Sequence, residues 1–179
     1  MERANEAKLV QTEHGKIPEG EGWFILNMSD ARWWKNDKFG SVCRFEGETR
    51  FPHYGINVRV LEPGQPACHY HAEEEQEDFL ILQGECKVIL EGREWSLKQW
   101  DLVHCSKGTR HVFVGAGKGP SVILMVGSRT EGEILYPIDP GAQKYDACAP
   151  NETDSPEESY REVKKREPVK AEWPLRGSR

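Results

Sequence analysis

Between residues 55 and 127, short apolar runs are separated by glycine and proline turns, and no window there carries a helical period. Ile56, Val58 and Val60 alternate with Asn57, Arg59 and Leu61, the period of two that a half-buried strand requires. A turn at Glu62–Pro66 follows, and then the runs Phe79–Leu82, Cys86–Leu90, Glu94–Leu97, Asp101–His104, His111–Val114 and Ser121–Val126. Strands this short and this regularly spaced bury their apolar faces only by stacking or closing on one another. The expected class is therefore all-β, a sandwich or barrel. Upstream, Gly22–Asn27 reads as a short buried strand and Ser41–Phe45 as another, with Trp33 and Trp34 packed on the body between them.

A chain of 179 residues holds one such domain. The expected organisation is a loosely docked polar leader over residues 1–20, a barrel over 21–145 with its core at 55–127, and a charged tail over 146–179. Pro150, Pro156, Pro168 and Pro174 punctuate the tail, which reads as irregular or partly helical, with a short helix near 156–166 and Trp173 pinning the end to the barrel. The net charge of −6 gives no basic face for nucleic acid. No apolar run approaches the roughly 20 residues that cross a bilayer, and Met1–Lys8 does not read as a signal peptide, so a cytoplasmic location is expected. Five cysteines, odd in number and without a C-x-x-C, read as free buried thiols, with Cys68 and Cys105 turned away from the histidines beside them.

Four of the six histidines fall between residues 69 and 111. In a strand, His69 and His71 project from one face, where two imidazoles can converge on one cation. The acidic run Glu73–Asp78 leads into the next strand, and a carboxylate at its start can complete the site. His111, after the turn Ser106–Arg110, enters from a third strand.

The stretch Gly64…His69-x-His71…Glu77…Gly84 resembles the first motif of the cupin superfamily, and Asp101…Gly108-x-x-His111 resembles the second. The spacing departs in two places: one residue is missing between Gly64 and His69, and one is extra between His71 and Glu77. These departures leave Glu75, and more remotely Gln76, as rivals to Glu77. Trp100 and Ser106 stand where the second motif has glycine and proline. The resemblance implies a double-stranded β-helix, the jelly-roll barrel of a small single-domain cupin, with one divalent transition metal (Fe, Mn, Ni or Zn) held by His69, His71, Glu77 and His111. It also implies a homodimer, paired through sheet edges or through the strand at Trp23–Asn27.

Three imidazoles and one carboxylate leave two open positions on an octahedral ion, room for a chelating small molecule. The implied chemistries are those of a metal-dependent oxidoreductase of dioxygenase type, a decarboxylase, an isomerase or a lyase, acting on a small oxygen-rich organic molecule. The alternative is a non-catalytic ligand-binding or sensing module with a structural metal. Strand parity sends Phe79, Ile81 and Phe113 inward with the ligands, and Met125 can join them. His104 reads as a core histidine, with a place beside the pocket as the alternative. Arg59 reads as a surface charge. Turned inward, it would favour an anionic substrate.

Overall fold

The computed structural model describes residues 3–129 and 132–171. Trp173 lies outside these residues. The chain forms a double-stranded β-helix, built on a seven-stranded antiparallel sheet and a smaller facing sheet. In the large sheet, β10 (Leu102–Cys105), β7 (Glu77–Gln83), β12 (Ser121–Ser128), β5 (Tyr54–Leu61), β4 (Gly40–Cys43), β3 (Trp33–Asn36) and β14 (Glu167–Val169) lie side by side in that order. The facing sheet runs β11 (His111–Ala116), β8 (Glu85–Leu90), β9 (Arg93–Lys98). Bridges from Pro66 to Val114 and from His71 to His111 extend it by the segment after β5. The short pair β6 (Ala72–Glu73) and β13 (Ile134–Leu135) completes the rim. Among the described residues no helix is long and apolar enough to cross a membrane.

The period-two runs expected over 55–127 all appear as strands. Their inward residues, among them Leu61, Ile81, Val88, Phe113 and Ile123, form one cluster between the sheets. Each such side chain contributes about 1.5–3 kcal/mol on burial. Gly84 turns β7 into β8 with φ +74°, a conformation an L side chain rarely adopts. The outer face of the large sheet is also covered. Val58, Val60 and Val122 pack there with Ala31, Trp33 and Cys43, and Val169 of the tail leans on them. Because Val58 and Val60 are claimed by this outer layer, the alternate residues Asn57 and Arg59 must face the barrel interior.

Two sequence expectations differ from the fold. The leader is not without structure among its described residues 3–20: β1 (Lys8–Thr12) and β2 (Gly15–Glu19) make a hairpin, and Thr12 Oγ1 closes its turn by donating to the Gly15 carbonyl at 2.6 Å. Residues 22–27 are not a buried strand. Trp23 makes one bridge to Glu6, and Trp23 and Ile25 are 50% and 85% exposed. In the tail, α2 (Pro156–Ser159) is a single turn, capped by Ser155, and β14 joins the main sheet. A second turn of helix, α1 (Pro140–Gln143), is capped by Asp139.

Candidate metal centre

His71 and His111 face each other as an antiparallel pair, each backbone N–H donating to the other's carbonyl (3.2 and 2.8 Å). Their rings stand 4.7 Å apart. Glu77 opens β7 and reaches between them, and Gly127 opposite it on β12 adds no side chain to crowd the carboxylate. The ligating atoms of His71, Glu77 and His111 all lie within 4.8 Å of one another. His111 Nε2 is 3.3 Å from Glu77 Oε2, His71 Nε2 is 4.0 Å from the same oxygen, and His71 Nε2 is 3.5 Å from Glu73 Oε1. Two donors about 2.1 Å from one ion sit about 3.0 Å apart at a right angle and about 3.4 Å apart at a tetrahedral one. The His111–Glu77 spacing fits a shared cation directly, and the 4.0 Å between His71 and Glu77 is several tenths of an ångström wider than either value.

The outer edges of both rings support the same reading. His71 Nδ1 donates to the His69 carbonyl at 2.8 Å, and His111 Nδ1 donates to the Thr109 carbonyl at 3.0 Å. Each bond fixes Nδ1 as a donor and turns Nε2 toward Glu77, the orientation metal-bound histidines adopt. Burial pushes His111 down to about 3, and the positive character of His71 adds to the effect. Burial pushes Glu77 up to about 7; Glu73 adds to this, while His71 opposes it. His71 is held well above its ordinary value, because Cys68, Glu73 and Glu77 outweigh its burial. Glu73 is lowered by its contact with His71, against its own burial. Crowding of this kind is relieved when a divalent cation replaces the shared protons.

His69 does not join the centre. No strand ladder runs through residues 67–70; instead Tyr70 N–H donates to Ala147, and His69 N–H donates to the Tyr160 hydroxyl. Stitched to the tail, the segment loses the alternation that would have paired His69 with His71. The His69 ring stacks on Tyr160 (4.6 Å, 4°), meets Phe39 edge-on, and places Nδ1 2.9 Å from Ser159 Oγ. It lines a separate cavity of about 660 Å³ beside Lys38 and Asp146. The residue that stands two positions along from His71 on the site face is Glu73. Sliding the motif pair from 69/71 to 71/73 moves it two places and turns each one-residue departure into its opposite, so spacing alone did not mark the shift.

The remaining candidates divide. Phe79, Phe113, Met125 and Arg59 line the cavity of about 300 Å³ that holds His71, Glu77 and His111, so the surface reading of Arg59 is corrected. His104 is exposed and bonds Asp78 at 2.7 Å, so it lies neither in the core nor at the pocket. Glu75 accepts a bond from Ser128 Oγ at 2.5 Å, apart from the cluster. Cys105 is a core residue as expected. Cys68, expected to turn away from the histidines, lines the cavity with its sulfur 3.6 Å from His71 Nδ1. Tyr136 and Tyr160, which sequence reasoning did not single out, also wall the cavity. Tyr160 comes from the far end of the chain, and no local pattern marks it.

Residues 57–127 match the family model described as a cupin domain. Among solved structures, the chain is similar to a candidate sugar phosphate isomerase from Acidithiobacillus ferrooxidans, 25% identical with a TM-score of 0.44, over 46% of this chain and 55% of that one. The likeness thus spans about half of that protein's length. It is also similar to a sugar phosphate isomerase of the cupin superfamily from Silicibacter pomeroyi, 24% identical with a TM-score of 0.49, over 62% and 68% of the two chains. A cupin 2 domain-containing protein from Halorhodospira halophila is 15% identical, with a TM-score of 0.49 over 66% and 89%. No curated protein matches the chain.

Proposed function

With the chain a member of the cupin superfamily, we propose that it is a metal-dependent enzyme acting on a small, oxygen-rich organic molecule, of dioxygenase, decarboxylase, isomerase or lyase type. The observation that carries the reading is the pair of imidazoles, each tied at Nδ1 to a backbone carbonyl and presenting Nε2 to one half-buried carboxylate. His71, Glu77 and His111 would hold a divalent Fe, Mn, Ni or Zn ion, with Glu73 taking the place expected of His69. Such an ion supplies Lewis acidity or access to dioxygen.

The chain's own residues do the rest. Phe79, Phe113 and Met125 line the cavity with apolar surface and limit water beside the cluster. A volume of about 300 Å³ lies at the lower end of the range for small-molecule sites.

The test is elemental analysis of protein purified without a histidine tag. Wild-type protein is expected to retain about one metal per chain. His111→Ala and His71→Ala are expected to lose most of it, whereas His53→Ala, at an exposed loop, keeps it. Equal metal content in His111→Ala and His53→Ala would refute the centre.

A further inference from the structure

Arg59 is only 7% exposed and lies on β5 with its side chain in the barrel. Its Nη1 donates to the Phe39 carbonyl at 2.9 Å. Its Nε is buried without a partner. Among the described residues no carboxylate lies within 4.0 Å of the guanidinium, although Glu73 and Glu77 line the same cavity. Arg44 and Arg166 exert further positive potential on it. Burial pushes Arg59 down to about 10, so it remains a cation at neutral pH. An isolated buried charge is costly, and a protein retains one where something else supplies the counter-charge.

A second unsatisfied group stands beside it. Asn57, two residues earlier on the same face of β5, has a buried Oδ1 without a hydrogen bond. Asn57 and Arg59 both open on the cavity that holds His71, Glu77 and His111. The free Nε edge of a guanidinium matches the two oxygens of a carboxylate. The free amide oxygen matches a hydroxyl or amino donor on the adjacent carbon.

We propose that the ligand of this cavity is a small hydroxy- or amino-carboxylate, its carboxylate received by the unpartnered Nε edge of Arg59 and its neighbouring donor by Asn57. This rests on the metal-centre reading for what the ligand's remaining atoms meet, but not for its capture. A carboxylate is favoured over a phosphate ester because Glu73 and Glu77 already line the chamber, and a dianion would add to their repulsion. The small volume also limits the ligand to a few carbons.

The test compares lactate with lactamide, which has the same shape without the charge, by calorimetric titration of manganese-loaded full-length protein. Lactate is expected to bind at least about tenfold more tightly than lactamide in the wild type, and Arg59→Met to weaken lactate by about 30-fold or more at unchanged metal content. Arg59→Lys is expected to fall between, since it keeps the charge but loses the fork. The absence of saturable lactate binding to the wild type, equal binding of lactate and lactamide, or lactate binding to Arg59→Met as tightly as to the wild type would overturn the proposal. Inorganic phosphate binding more tightly than lactate would overturn the carboxylate class. The same comparison in metal-free wild-type protein, where no cation can chelate lactate, decides even if neither variant folds. If the wild type holds no metal yet still separates lactate from lactamide through Arg59, the metal reading fails and the carboxylate site stands. If metal is bound and the two probes are not separated, the carboxylate site alone fails.

Discussion

Replacing His69 by phenylalanine should remove a large part of the protein's sensitivity to acid. The wild-type imidazole is 2% exposed, packed between Tyr160 and Phe39, and its Nε2 has no hydrogen-bond partner. Burial, helped by Lys38, pushes it from 6.5 down to about 4. The unfolded chain therefore takes up a proton between these values while the folded chain does not. Stability is present in full above the unfolded value and is lost as pH falls toward the folded one. A separation of 2.5 units amounts to about 3.4 kcal/mol when complete. Between pH 7 and pH 4.5 the linkage relation gives a loss of about 2.4 kcal/mol from this residue alone. Phenylalanine preserves the stack on Tyr160 and gives up the Ser159 contact, worth about 1 kcal/mol. Urea unfolding of both proteins across pH 4.5–7 is the assay. The variant should be somewhat less stable at pH 7 and should close or reverse the gap at pH 4.5. Parallel pH profiles would refute the reasoning. Loss of bound metal in the variant would return His69 to the ligand set.

Two further substitutions probe the frame of the site. Gly84→Ala combines a positive φ of +74° with a methyl that would sit 2.5 Å from the Pro120 carbonyl oxygen, and should cost about 2–3 kcal/mol in a denaturant melt. Glu46 receives Arg129 at both oxygens (2.6 and 3.1 Å), and this pairing holds its carboxyl below the usual range against the effect of burial. Glu46→Ala should cost about 2 kcal/mol near neutral pH, with the difference from wild type shrinking as pH falls and the wild-type carboxyl protonates. A difference constant with pH would show that the charge pair contributes nothing.

Strand parity was readable wherever a hydrogen-bonded ladder runs. Phe79, Phe113 and Met125 lie on β7, β11 and β12, and parity sends all three to the cavity. It failed for His69 because the backbone N–H groups of His69 and Tyr70 are bonded to Tyr160 and Ala147 of the tail and not to a neighbouring strand. Arg59 was legible in parity but not in polarity. A lone arginine in a strand is ordinarily a surface charge, and its inward place follows from an outer layer, built on Trp33 and Val169, that no local pattern announces. The N-terminal hairpin was hidden by its polar composition, since a two-strand ribbon on the rim has little apolar surface to display. Tyr160 is separated from Cys68 by most of the barrel's sequence, yet both wall one chamber.

The placement of Tyr160 also bears on how the protein matures. Synthesis proceeds from the N-terminus, so the strands from β3 to β12, with His71, Glu77 and His111, all leave the ribosome before this tyrosine exists. During that interval the cluster has one wall fewer, and the ring of His69 lacks the aromatic plane it later rests against. Sealing the chamber thus waits on the C-terminal segment, and a nascent chain stalled short of α2 would lack this wall of the chamber.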